Sequence, residues 1–210
     1  DWTNPGNWSR DLQPAADYPR TFSDHVFLND NSAVLSTPAP SGLQLGELVL
    51  GSSYAGKLTL ANDLMVSSES FSKGNIVMCK GTLEASGVTV SVEGDFRSVT
   101  TYGEPYTRFI SGTGTVEIFG RNKTSLVQLP YPVYADFNDL RCSTPGKELS
   151  FYSSAFNVYH TKVRSNLFLS GEAGFGNLVV LQGTAASPSA WNISAEGTVS
   201  VTNAIVFNSK

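Results

Sequence analysis

The feature that most limits what this chain can become is a short alternating run, closed by Gly, Asn or Asp, that returns along its whole length. It occurs at residues 42–51, 56–60, 63–66, 75–79, 81–85 and 87–92, and again at 114–119, 148–151, 166–169, 177–181 and 197–202. Within each run apolar and polar residues alternate, which is the period of a strand with one face buried. No window carries apolar residues at i, i+3, i+4 and i+7 among good helix formers, so the chain is all-β, with about a dozen short strands. The connections lack Asn-Gly or Asp-Gly hairpin signals, Glu93-Gly94 being the nearest, which disfavours a meander.

Strands that do not fold back on their neighbours can instead pair with their counterparts one coil later, through bends of one or a few residues. The expected fold is therefore a right-handed parallel β-solenoid; a β-sandwich is compatible with the same alternation and stays as the alternative. Aligning the run at 56–60 with that at 75–78 sets Leu58 against Ile76, eighteen residues on, close to one coil. Residues 1–22, with Trp2, Trp8, Tyr18 and Phe22, read as an N-terminal cap over the first coil, and 23–210 as a single solenoid domain. Residues 98–108 read as a projecting loop, the expected place for a binding function.

Composition narrows the function classes. The chain is 40% apolar but only 15% charged, against roughly 25% in ordinary soluble proteins. Its net charge is −4 and its fourteen Lys and Arg are scattered singly, which argues against a nucleic-acid partner. No run of eighteen apolar residues occurs, so no membrane span is expected. The chain opens at Asp1 with no initiator Met, basic n-region or h-region, so it reads either as a mature product after signal removal, the favoured reading and so a secreted protein, or as an excised domain.

The opening Trp2-Thr-Asn-Pro-Gly-Asn-Trp8-Ser, followed by Asp24-His-Val-Phe-Leu28, Leu45-Gly-Glu-Leu-Val-Leu50 and Gly56-Lys-Leu-Thr-Leu60, resembles the start of bacterial secreted β-helical surface and adhesin-like repeat proteins. Residues 110–120, 137–140 and 197–201 are similar to further coils of such proteins, and there is a fainter likeness to G8-type extracellular domains. The resemblance implies secretion to the cell surface, a parallel β-helix, and adhesion or surface structure. It carries over no catalytic residue.

The chemistry-bearing residues do not group into a recognisable catalytic set. A polysaccharide-active β-helix needs clustered carboxylates, as a calcium site with a nearby base or as a pair about 5 to 10 Å apart. Asp24, Asp30 and Asp63, and the adjacent Glu93 and Asp95, are the nearest candidates, but such residues at strand ends usually bond local backbone. His25 and His160 lack metal-ligand spacing, Gly-x-Ser-x-Gly does not occur, and the Gly171–Gly176 run has no helix after it. No catalytic residue, metal site or cofactor is therefore assigned, and the chain is read as a non-enzyme. Cys79 and Cys142 stand about three coils apart, some 14 Å along the axis, so free thiols are favoured over a disulfide. The acceptor patterns at Asn7, Asn122 and Asn192 are as frequent as chance allows.

The expected function is an extracellular structural or adhesive surface protein, built to assemble head-to-tail into a filament or to join neighbouring domains of a larger surface protein. Its assembly edge is placed in the C-terminal strands at Val199, Val201, Ile205 and Phe207. The alternatives are a carbohydrate-binding module using Tyr102 and Tyr106, with glycans as partners, or a β-helical polysaccharide-active enzyme.

Overall fold

The computed structural model describes residues 9–10, 13–14, 19, 21–29, 41–68, 74–99, 108–120, 124–128, 135–151, 159–174, 176–184 and 191–207. A short antiparallel pair, β1 (Ser9–Arg10) and β2 (Gln13–Pro14), comes first. Then follow β3 (His25–Leu28), β4 (Leu43–Leu45), β5 (Glu47–Leu50), β6 (Lys57–Thr59), β7 (Leu64–Val66), β8 (Ile76–Met78) and β9 (Thr82–Glu84). The middle of the chain forms β10 (Thr89–Val92), β11 (Phe96–Ser98), β12 (Arg108–Ile110), β13 (Thr115–Ile118), β14 (Thr124–Gln128), β15 (Ala135–Phe137) and β16 (Asp139–Cys142). The last third forms β17 (Glu148–Phe151), β18 (Tyr159–Val163), β19 (Leu167–Ser170), β20 (Val179–Gly183), β21 (Trp191–Ala195), β22 (Val199–Thr202) and β23 (Ala204–Val206).

From β3 onward every pairing is parallel, and each strand bonds to one in the next coil rather than to its neighbour in sequence. One face is a seven-stranded sheet, β4-β7-β10-β13-β16-β19-β22, and a second is an eight-stranded sheet from β3 to β23. The third face consists of two three-stranded sheets, β6-β9-β12 and β15-β18-β21. This is a parallel β-solenoid with three strands to the coil. The parallel ladders exclude the β-sandwich, whose sheets are antiparallel.

The register departs from the sequence expectation. Leu58 pairs with Leu83 on the third face, whereas Ile76 lies in the eight-stranded sheet between Leu48 and Phe96. On the seven-stranded sheet the coil runs from Leu64 to Val90 and from Val90 to Val116, 26 residues each time, rather than eighteen. With three faces of the same alternation, the apolar period does not say which face a run belongs to. Ser98 and Arg108, expected in a loop, end one strand and begin another; residues 100–107, like most of 1–22, lie outside the described residues.

Inward residues stack into columns along the axis. Leu43, Leu64, Val90, Val116, Leu140 and Leu167 form one, and Leu45, Val66, Val92, Ile118, Cys142 and Leu169 the next; all twelve are buried. Each fully buried Leu, Ile or Val side chain stabilises the fold by about 1.5–3 kcal/mol. Cys142 sits inside this core while Cys79 follows β8 on another face, and both thiols are free.

The cross-section of the solenoid steps between β11 and β14. In the eight-stranded sheet Phe96 pairs with Val127, the second inward residue of β14, so the first inward residue, Ser125, falls opposite the Gly94 corner. At the same level β12 and β15 do not bond to each other, and the third face is interrupted. Three aromatic rings fill the step: Phe96 meets Phe109 edge-on with centroids 5.0 Å apart, and Phe137 lies 5.9 and 6.0 Å from them. Arg164 spans the same break, its guanidinium donating to the buried Ser111 hydroxyl at 2.7 Å.

Candidate functional site

Of the carboxylates singled out in the sequence, Asp63, Glu93 and Asp95 hold coil to coil. Asp63 Oδ1 accepts the Thr89 backbone N–H at 2.7 Å, and Asp95 Oδ1 accepts that of Leu126 at 2.9 Å. Asp139, which is not among those candidates, accepts the Asn166 backbone N–H at 2.9 Å. Glu93 accepts from the Ser67 hydroxyl and the Ser68 N–H, and Asp24 closes a local turn by accepting from Thr21. Each satisfies an N–H or O–H at a corner, where the ladder leaves backbone donors over. Asp30 lies outside the described residues, as do Tyr102, Tyr106, Asn7 and Asn122. Among the described residues no three His, Cys, Asp or Glu side chains group closely enough to hold a metal ion. Among the described residues no helix is long and apolar enough to cross a membrane.

Among the described residues, one lysine enters the interior. Lys147 is in phase with Leu149 and Phe151, so alternation turns it inward, where it is fully buried. Its ammonium donates at 2.6 Å to the backbone carbonyl of Glu93, two coils away, and that carbonyl also accepts from the Ser125 hydroxyl at 3.2 Å. Lys147 and Ser125 together occupy the corner opened where the sheet widens. Burial pulls the lysine below its ordinary value, against the opposing pull of Cys142, Glu93 and Asp95.

A depressed lysine pKa penalises the fold while the group must be protonated, and the penalty is relieved as pH rises through the folded value toward the unfolded 10.5. The Cys142 thiol and the Tyr54 hydroxyl, the latter pushed up to about 12, act with opposite sign in the same alkaline range. Comparison with Lys147→Met largely cancels them. The stability of the wild-type chain relative to Lys147→Met is expected to rise from pH 7 toward pH 10 in urea titrations; a flat difference would place the amine in water.

The surface that stands apart is the C-terminal coil. Val199 and Val201 continue the two apolar columns of the seven-stranded sheet beyond Leu167 and Leu169, and Val206 continues the Leu149–Leu181 column of the eight-stranded sheet. They are 56%, 46% and 52% exposed, where the preceding residues of the same columns are buried. At the other end of the molecule the corresponding positions, Val26, Leu28, Leu43 and Leu45, are all buried.

Of the four edge residues expected from the sequence, Val199 and Val201 therefore end core columns. Ile205 pairs with Val180 in the outward phase, and Phe207 follows in that phase, exposed, with its carbonyl accepting from Trp191 Nε1 at 3.0 Å. Val206 was the residue missed. The cause is Asn203, whose φ of 50° turns the chain in a single residue between β22 and β23. Asparagine tolerates this left-handed conformation, and its side chain donates to the Gly171 carbonyl at 3.2 Å. The alternation restarts with a new phase at Ala204, so counting in twos from Val201 selects the wrong residues. Residues 197–207 carry no charged side chain.

No protein-family model, curated protein or solved structure matches the chain.

Proposed function

We propose that this chain is a structural or adhesive module of an extracellular surface, a stacked rod that joins other material through its C-terminal coil. The observation that carries the reading is the set of core columns ending uncovered at Val199, Val201 and Val206. Buried apolar columns that run out at a surface leave that surface with an unmet drive to be covered, and an unpaired strand edge beside it supplies backbone donors and acceptors. The low charge and the resemblance to secreted β-helical surface proteins support the extracellular placement. The cross-coil duties of Asp63, Glu93 and Asp95 support a structural rather than a catalytic use of the carboxylates.

The test is electron microscopy and light scattering of the purified chain over a concentration series. The reading expects defined assemblies larger than one chain, whether dimers or filaments. Monomers at every concentration, with retention or cleavage of a glycan, would replace it by the carbohydrate-binding or polysaccharide-active reading.

A further inference from the structure

The two ends of the solenoid are unlike, and this decides how copies can meet. Head-to-tail stacking needs an open apolar end on each side, one to donate and one to accept. The C-terminal coil offers Val199, Val201 and Val206, but the N-terminal core positions Val26, Leu28, Leu43 and Leu45 are already buried. Among the described residues, core columns thus stand open at the C-terminal coil.

We propose that two copies join C-terminal coil to C-terminal coil about a two-fold axis, each covering the other's open columns. This names the partner for the surface described above and so rests on the structural reading of that surface. A two-fold axis that crosses the solenoid axis and passes through the Asn203 corner lays β22 of each copy along β23 of the other with the strands antiparallel, the commoner and slightly more stable pairing. The interface uses the same patch on both copies and closes at two.

Charge fits a second copy. The chain carries a net −4, which opposes self-association in general, yet 197–207 hold no charged residue, and the adjacent carboxylate, Glu196, is paired with Lys162 at 2.8 Å. Soluble proteins protect a free edge with lysine, proline or a bulge. None of these protects β22 or β23: both pair in continuous parallel register with the preceding coil and contain neither lysine nor proline.

Sedimentation velocity of the whole chain over a concentration series separates the possibilities, using wild type, Val201→Lys and Phe27→Lys. Val201 is part-exposed at the C-terminal end; Phe27, 62% exposed and outward-facing on β3, marks the opposite end. The expected result is a monomer–dimer equilibrium that stops at two, weakened at least about tenfold by Val201→Lys and unchanged by Phe27→Lys. Circular dichroism of Val201→Lys distinguishes lost docking from lost folding, and the wild-type stoichiometry stands independently of either variant. Growth beyond two, or loss of assembly in Phe27→Lys, overturns the two-fold mode alone and leaves a head-to-tail structural module. A monomer throughout overturns the two-fold mode and self-assembly together.

Discussion

Replacing Phe96 with alanine is expected to lower the unfolding free energy by about 3–5 kcal/mol, read from the midpoint of a urea titration. The ring is fully buried, and it meets both Phe109 from its own coil and Phe137 from the next. It stands at the level where β12 and β15 do not pair, so side-chain packing there carries what backbone ladders carry elsewhere. Truncation removes the apolar burial and two aromatic contacts, and the stacked coils on either side limit collapse into the space. A loss below about 1 kcal/mol would mean that the step is held by other groups. Phe109, only part-buried, is expected to cost less when truncated.

The second large effect is expected at Gly114. A Cβ there would lie 2.0 Å from the Ala85 carbonyl oxygen, 2.7 Å from that of Val88 and 3.0 Å from that of Ser111. All three obstacles are backbone, and they belong to the coil below and to the corner just before, so none can swing aside. Gly114→Ala is expected to cost about 3 kcal/mol, the upper part of the range for forcing atoms into a packed site. Gly42→Ala is the control: its φ of +70° carries a left-handed penalty of about 1–2 kcal/mol, but nothing lies within 4 Å of the added carbon. Thermal denaturation of the two variants side by side should rank Gly114→Ala well below Gly42→Ala; the reverse order would contradict the close approach of the coils.

How much of this was legible follows from which residues carry the pattern. Leu48 and Leu50, or Val90 and Val92, face a uniform apolar core and alternate with polar neighbours, so their strands could be read directly. Asp139–Cys142 and Tyr159–Val163 were not read as strands, because Asp139 serves as a corner acceptor and the inward positions are filled by Cys142 and Thr161. The three faces share one alternation, so the coil length could not be read from spacing, and Leu58 was set against the wrong face.

Lys147 was hidden for a different reason. A lysine is assigned to solvent by its chemistry, yet its phase with Leu149 and Phe151 points it inward, and that phase was the available signal. At the C-terminal edge Val199 and Val201 were legible because they repeat the core pattern, whereas Val206 lay beyond the one-residue turn at Asn203. The exposed ends of the core columns thus lie within the stretch singled out in the sequence, with Val199 and Val201 named there and Val206 not.

The central claim is that a stacked solenoid works through its open C-terminal coil, and amide hydrogen exchange at low and high protein concentration tests it most directly. Strands in the middle of the stack, such as β10 and β13, should exchange slowly at both concentrations, because each is bonded to a coil on either side. Residues 199–206 should exchange fast in dilute solution and become protected when the chain is concentrated. Equal exchange of those residues at both concentrations, or new protection arising only at the β3 end, would contradict the account.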